Sequence, residues 1–298
     1  MRCVSIDVEE YFHIEAARTT ICRADWDHWP SRVEGNVDLL LSLFDQYKQR
    51  GTFFVLGHVA QQHPQLARRI ANAGHEVASH GTGHDRLHRL NPNRFREDLL
   101  TSKHLLEDQT GKAVVGYRAP TFSLVPQTAW AIDILTQSGF VYDASIFPVR
   151  HPWYGVPAAP DRPFMVQAHP QGSHLLEMPP LTWMPPTLGF RPRKLAVAGG
   201  GYFRLLPLAL MQLGLAQAAA QNRPAVLYFH PWEFDPDMPR MPLPILNRLR
   251  TYTGLGAATR RLKRIMRQPA RWLAIVDLVQ QLHQRPTSLP TFCLNRHL

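Results

Sequence analysis

Acidic and histidine residues follow several predicted strands of this sequence, in patterns that could bind a metal ion and transfer protons. Asp7 and Glu9 end an apolar run and, being two apart, project to the same side of an extended segment. His80 and His84 are four apart, on a turn that is expected to enter a helix, so both imidazoles can face one ion. One carboxylate and two histidines form a three-ligand divalent site with positions left for water and substrate.

Two further residues, Arg118 and His230, could support proton transfer at this site. The second carboxylate of the acidic pair would be a general base, and Arg118 would keep it ionised because an opposite charge lowers a carboxyl pKa. His230, at the end of another apolar run, could protonate a leaving group. Taken singly, these residues are typical of a helix cap, a surface histidine pair or a turn. Their joint occurrence at strand ends favours a catalytic site.

Strands and helices alternate through the first half of the chain and would position these residues. The predicted strands are 3–8, 52–56, 76–80, 114–117 and 140–142, and the helices between them are 35–50, 64–73, 91–109 and 126–138. This alternation predicts a parallel sheet or barrel with helices outside and chemistry at the carboxyl ends of the strands. Residues 150–192 are predicted as a loop rich in Pro, Trp and His, 196–221 as a helix and 225–230 as a last strand.

Composition and length set the broad class of the chain. Its 298 residues are 45% hydrophobic and 19% charged, which excludes a disordered chain or a coiled coil. Three scattered cysteines do not indicate a disulfide framework or a cysteine-type zinc site. The absence of a secretory signal and of an apolar run of membrane-spanning length predicts a cytoplasmic protein. We expect one domain over 1–298, with a catalytic barrel at about 1–235 and a basic helical extension at about 236–298.

The order of the motifs resembles that of the NodB-like polysaccharide deacetylases of carbohydrate esterase family 4. The matching segments are Ser5–Glu9, Ser79–His84, Arg118–Pro120, Tyr142–Ser145 and Leu227–His230. Gly200–Pro207 and Tyr228–Pro236 are similar to the subgroup found with exopolysaccharide and exosortase loci. The resemblance implies an α/β fold, a distorted (β/α) barrel with a loop-and-helix elaboration in its C-terminal half. It also implies metal-dependent removal of an N-acetyl group from an amino sugar of a polysaccharide or its precursor.

The same resemblance implies a role for each motif residue. Asp7 would be the base, Arg118 and His230 would be further catalytic residues, and the metal ligands would be Glu9, His80 and His84. Residues expected at the substrate are Tyr117, Pro120, Asp143 and Trp232, with a backbone N–H near Tyr117 or Arg118 facing the oxyanion. Asp143 stands in a short Tyr-Asp-x-Ser form, so it either positions substrate or supports a histidine. Glu10 remains an alternative ligand, because a turn after Val8 could exchange it with Glu9. Zinc is the expected cofactor, with cobalt, nickel and manganese as alternatives.

Positive charge is concentrated late in the chain. The chain has a formal net charge of +10. Nine Arg or Lys residues lie between Met238 and Val276, a segment without Asp or Glu. If 257–268 is helical, Leu262, Ile265 and Met266 form a stripe that either seals the barrel or rests near anionic lipid. The expected partners are an N-acetylated glycan or a lipid-linked glycan precursor, with peripheral contact to an anionic membrane and no specific nucleic acid.

Two other functions remain open at this stage. One is an amidohydrolase acting on a small ureide or cyclic imide with the same barrel. The other is a basic protein that binds membrane or nucleic acid and has a decayed active site. A deep closed pocket would favour the first, an open groove lined by Trp would favour a glycan, and a tightly bound divalent ion would argue against decay.

Overall fold

A mainly parallel sheet organises the chain in the computed structural model, which describes residues 1–186, 193–284 and 289–297. The strands are β1 (Arg2–Val8), β2 (Thr52–Val55), β3 (Glu76–Ser79), β4 (Gly116–Tyr117), β5 (Tyr142–Asp143), β6 (Phe164–Gln167), β7 (His174–Glu177), β8 (Thr182–Trp183), β9 (Leu195–Ala196), β10 (Ala225–Phe229), β11 (Trp272–Leu273) and β12 (Thr291–Cys293). Neighbours run in the order β10-β1-β2-β3-β4-β5-β7-β6-β12, and β11 also pairs with β1. Among the strands of this sheet in the described residues, only the β6–β7 pair is antiparallel, and β8 and β9 form a separate antiparallel pair.

Helices connect the strands and cover the sheet. They are α1 (Val33–Gln46), α2 (Gly57–Gln62), α3 (Leu66–Asn72), α4 (Pro92–Thr110), α5 (Ala131–Gln137), α6 (Gly200–Leu205), α7 (Leu208–Ala220), α8 (Ile245–Tyr252), α9 (Leu255–Met266) and α10 (Ile275–His283). Local sequence sets the ends of α4. The Asn91 side chain accepts the Arg94 N–H, Pro92 occupies the first turn, and Gly111 ends the helix with a left-handed backbone.

The two faces of β1 show how strand alternation builds the interior. Val4, Ile6 and Val8 pack into the large core between the sheet and its helices. Cys3 joins a second cluster on the opposite face, which α10 covers. On this face Ser5 and Asp7 follow Cys3 toward the carboxyl end of the strand. The segment after β7 returns to β10, where the Leu181 N–H donates to the Val226 carbonyl at 2.8 Å. The mixed α/β fold predicted from the sequence is confirmed.

Several predicted elements differ from the structure. The predicted loop at 150–192 contains β6, β7 and β8, and its residues 187–192 lie outside the described part. The predicted helix at 196–221 begins with the last residue of β9 and is divided into α6 and α7 by an extended Leu206 followed by Pro207. The sequence prediction also missed β11 and β12, which join the sheet from the predicted C-terminal extension. The boundary at about residue 235 stays a prediction.

The basic segment contains α8 and α9, which are packed differently. In α9, Leu262, Ile265 and Met266 are buried, so the predicted apolar stripe packs inward. Arg261 donates to the Arg204 and Leu206 carbonyls. In α8, Thr251 is the buried residue. Within the described residues, no helix is long and apolar enough to span a membrane.

Candidate active site

The carboxyl ends of β1, β3 and β10 meet at the floor of a cavity of about 730 Å³. This is the edge at which parallel strands of an α/β fold present their functional side chains. Of the residues predicted from the sequence, six line the cavity: Asp7, Glu9, His80, His84, His230 and Trp232. The site is therefore assembled from segments far apart in the chain.

Three of these side chains have the arrangement of a metal site. One potential ligand atom from each of Glu9, His80 and His84 lies within 4.8 Å of the others, and all three residues are buried. His80 Nδ1 lies 2.8 Å from the Arg118 carbonyl, which leaves its Nε2 available as a ligand. Glu9 Oε2 is buried and lies 2.5 Å from His84 Nε2. This carboxylate oxygen and the two imidazoles form a donor set that fits a divalent cation.

A turn after Val8 determines which glutamate reaches the cavity. The Glu9 N–H donates to the Asp7 carbonyl at 3.0 Å, so the chain bends as the strand ends. Glu10 then points away, and its Oε1 accepts hydrogen bonds from the backbone N–H groups of Arg32 and Val33 at the start of α1. The geometry thus favours Glu9 over Glu10 as the ligand.

The two histidines lie on a tight loop, not on the start of a helix as the spacing suggested. Gly81 and His84 both have left-handed backbones, with φ of 71° and 53°. Asp98, on α4, accepts the backbone N–H groups of Thr82 and Gly83 through its two carboxylate oxygens. This anchor from α4 holds the loop in the conformation that turns both imidazoles toward Glu9.

Asp7 is held by a fully buried arginine. Arg118 Nη1 lies 2.6 Å from Asp7 Oδ1 and also donates to Ser5 Oγ at 2.7 Å. The guanidinium packs over the Phe54 ring, and its Nε donates to the Ala144 carbonyl. Arg118 does not line the cavity itself, so it acts on the site through Asp7 and through the carbonyl that orients His80.

His230 belongs to a chain of charged groups that the sequence analysis missed. Its Nδ1 lies 3.3 Å from Glu233 Oε2, and Glu233 Oε1 accepts the Arg204 Nε–H at 2.7 Å. Arg204 in turn donates to the Arg250, Thr251 and Thr253 carbonyls. The sequence signal was Glu233, three residues after His230, but Arg204 comes from a separate helix and has no recognisable spacing to either residue.

These contacts set the proton affinities of the site. Burial opposes ionisation of Glu9, but its contact with His84 and the charge of His230 hold the pKa of Glu9 well below its usual range. Burial lowers the pKa of His80 to about 4, which keeps it neutral as a ligand must be. Burial alone would lower the pKa of His230, but Glu233, Glu9 and Asp7 together raise it to about 9. His230 is therefore protonated at neutral pH.

Three of the four residues expected at the substrate have other surroundings. Tyr117, Pro120 and Asp143 are buried and do not line the cavity. Asp143 accepts hydrogen bonds from the N–H and hydroxyl of Ser145, whose Oγ accepts the Ala119 N–H, so it supports the Arg118–Pro120 turn. Trp232 lines the cavity but is mostly buried, and its Nε1–H donates to Glu9 Oε1 at 3.3 Å.

The predicted oxyanion contact also needs a correction. The Arg118 N–H donates to the Ser79 carbonyl at 3.0 Å within the sheet and is not available to a substrate. Thr121, which the sequence analysis missed, lines the cavity with a left-handed backbone at φ 56°. Its position at the turn after Pro120 could be found only once the path of the backbone was known.

Comparisons with known proteins divide the chain into two matched regions. Residues 25–141 match the family model described as polysaccharide deacetylase. Residues 144–280 match a model described as a domain of unknown function, DUF3473. A peptidoglycan deacetylase from Helicobacter pylori is 34% identical over 113 residues, which are 38% of this chain and 38% of that protein. The chain thus spans about two fifths of the length of the curated relatives it matches.

Solved structures support the fold over nearly the whole chain. A Mycobacterium smegmatis protein assigned to the polysaccharide deacetylases has a TM-score of 0.64 and 22% identity, covering 98% of this chain and 92% of its own. The allantoinase Puue has a TM-score of 0.58 and 19% identity, covering 96% and 90%. At these identities the likeness shows a shared fold.

Proposed function

We propose that this chain, whose residues 25–141 match the polysaccharide deacetylase family model, hydrolyses the N-acetyl group of an amino sugar in a polysaccharide or its precursor. The observation that carries the proposal is the convergence of an arginine-bound aspartate, a Glu-His-His cluster and a protonated histidine on one cavity. Amide hydrolysis needs these parts: an electrophile at the carbonyl, a base for water and an acid for the amine.

The cluster of Glu9, His80 and His84 would hold the divalent ion. When bound, such an ion supplies polarisation of the acetyl carbonyl and acidification of water. Zinc is the proposed metal because two imidazole nitrogens and one carboxylate match its preferences, and cobalt, nickel and manganese are the alternatives. The Arg118 carbonyl and Trp232 would orient His80 and Glu9 for this purpose.

The remaining residues move the protons. Asp7 would accept a proton from the attacking water through Oδ2, because Oδ1 is already paired with Arg118. His230 Nε2 lies 3.9 Å from Asp7 Oδ2 and 3.7 Å from Glu9 Oε1, so it faces the same part of the cavity as both carboxylates. As an imidazolium it would give its proton to the departing sugar amine. Glu233 would keep this imidazole charged and oriented.

The proposal also includes the class of glycan that the site accepts. The cavity is open to solvent and has Trp153 exposed at its wall, which suits a sugar chain better than a small enclosed ureide. We assign the substrate to exopolysaccharide biosynthesis, as a lipid-linked glycan precursor or the polymer itself, in the cytoplasm at the inner face of the membrane. The motifs shared with the exopolysaccharide subgroup support this assignment.

Acetate release provides the test. The purified protein is expected to release acetate from N-acetylated oligosaccharides, to stop after chelation and to recover with zinc or cobalt. His84→Ala is expected to lose both bound metal and activity, while His104→Ala, on the outer part of α4, should keep both. Full activity of the metal-free protein would contradict the proposal, and hydrolysis of allantoin without acetate release would identify a ureide amidohydrolase instead.

A further inference from the structure

Helix α8 exposes an unusual set of apolar side chains. Ile245, Leu246 and Leu249 are 67%, 69% and 57% exposed, and they share one face of the helix because Leu249 follows Leu246 by three residues and Ile245 by four. No other described helix has three large apolar residues exposed in this way. Exposing these side chains to water is unfavourable, so the hydrophobic effect would stabilise a complex in which a partner covers them.

The segment that carries this face is rich in arginine and has no acidic residue between Met238 and Val276. Arg248 and Arg250 lie on α8 itself, Arg260 and Arg264 are exposed on α9, and Arg267 is exposed directly after α9. None of these five arginines forms an ion pair with a carboxylate in the described part of the chain. An apolar face bordered by unpaired cations is typical of a helix that lies in the interface of an anionic membrane.

The same helix forms part of the cavity wall. Asn247, Arg250 and Thr251 line the cavity, together with Leu205 and Trp153, which are also exposed. A surface in contact with α8 would therefore lie beside the entrance to the candidate active site.

We infer that α8 docks this protein on an anionic lipid surface, with Ile245, Leu246 and Leu249 entering the interface and the arginines of α8 and α9 contacting lipid phosphates. This places the lipid contact on α8, whereas the stripe of α9 expected from the sequence is buried. The docking does not depend on the proposed reaction. Combined with the proposed function, it makes membrane-bound glycans the substrates that reach the cavity.

Sedimentation with vesicles tests the docking without any assay of catalysis. The full chain is expected to bind phosphatidylglycerol vesicles at least about tenfold more tightly than phosphatidylcholine vesicles, and more weakly as salt rises. Replacing Ile245, Leu246 and Leu249 together by Ser should weaken binding to the anionic vesicles by about tenfold or more. Leu213→Ser, an exposed leucine on α7, is the matched control and should bind like the wild type.

Two further variants complete the experiment. The double variant Arg260→Gln and Arg264→Gln should weaken binding to anionic vesicles and reduce its salt dependence. The single variant Leu246→Ser tests the same face with a smaller change, in case the triple variant misfolds. Acetate release from a soluble oligosaccharide should stay near the wild-type rate in the triple variant, which separates this inference from the proposed function. Equal vesicle binding by triple variant and wild type, or no binding by the wild type, would overturn it. A wild-type dimer that the triple variant dissolves would show that a second copy covers α8.

Discussion

At the scale of single residues, the two carboxylates after β1 have different surroundings and should have different roles. Asp7 is paired with Arg118, whereas Glu9 has a buried oxygen facing His84. Asp7→Asn is expected to keep the metal and to lose about 100-fold or more in turnover, because a proton acceptor is removed. Glu9→Gln is expected to weaken metal binding itself. Zinc titration by calorimetry, alongside acetate release, measures both effects.

Glu10→Gln is the natural control for this pair. Its side chain bonds the start of α1 and is turned away from the cavity, so metal affinity should remain unchanged. If Asp7→Asn lost the metal while Glu9→Gln kept it, the two roles would be exchanged. A loss of metal only in Glu10→Gln would contradict the geometry of the turn after Val8.

The contact between Glu233 and His230 predicts a shift in the pH profile. Glu233 raises the pKa of His230, so Glu233→Gln should lower it and move the alkaline limb of kcat to lower pH. Turnover should fall at neutral pH, because less of the imidazole carries the proton for the amine. Asp45→Asn removes an exposed carboxylate far from the cavity and should leave the profile unchanged. An unshifted limb in Glu233→Gln would mean that this glutamate serves the fold alone.

At the scale of elements, the entry to α6 depends on a very close approach between two backbones. A Cβ on Gly199 would lie 1.6 Å from the Tyr228 carbonyl oxygen of β10, next to His230. Gly199→Ala is therefore expected to lower the free energy of unfolding by about 3 kcal/mol or more. Gly35→Ala, inside α1 where a Cβ meets no atom within 4 Å, should raise it by about 0.5–1 kcal/mol. Denaturant unfolding measures both, and equal effects would contradict this packing.

The same elements show what could be predicted from the sequence. The strands β1, which carries Asp7, and β10, which precedes His230, are rich in apolar residues and are followed by polar ones, so their type and ends followed from local pattern. The strands β6, β7 and β8 escaped prediction because they have two to four residues each, in a stretch interrupted by prolines. Arg204 escaped because only the folded chain brings it to Glu233, 29 residues later.

At the scale of the whole molecule, one buried carboxyl group connects strands from distant parts of the sequence with α10. Glu76 accepts hydrogen bonds from Thr52, Tyr142 and the Val276 N–H. Burial raises the pKa of Glu76 to about 7. The folded protein thus retains a proton that the unfolded chain releases at lower pH. This contribution to stability is complete below the ordinary carboxyl pKa and is lost as the pH rises through about 7.

Glu76→Gln isolates this effect, because glutamine cannot ionise. The wild type is expected to lose about 1–3 kcal/mol of unfolding free energy between about pH 5 and about pH 8 through this group. The variant should show a correspondingly smaller decrease. Glu97→Gln, an exposed residue of α4, should retain the wild-type slope. Identical slopes in the wild type and Glu76→Gln would show that the carboxyl is ionised in the folded protein.

The position of β1 between β2 and β10 has a consequence for biosynthesis. During translation β1 leaves the ribosome long before β10, so one of its edges has no strand to pair with while more than two thirds of the chain is made. Unpaired apolar edges are sites of aggregation in nascent chains. Chains that terminate before Ala225 should therefore need chaperones to stay in solution. His230 directly follows the strand that ends this exposure, so a nascent chain would gain its proposed catalytic acid only as this edge of β1 is paired.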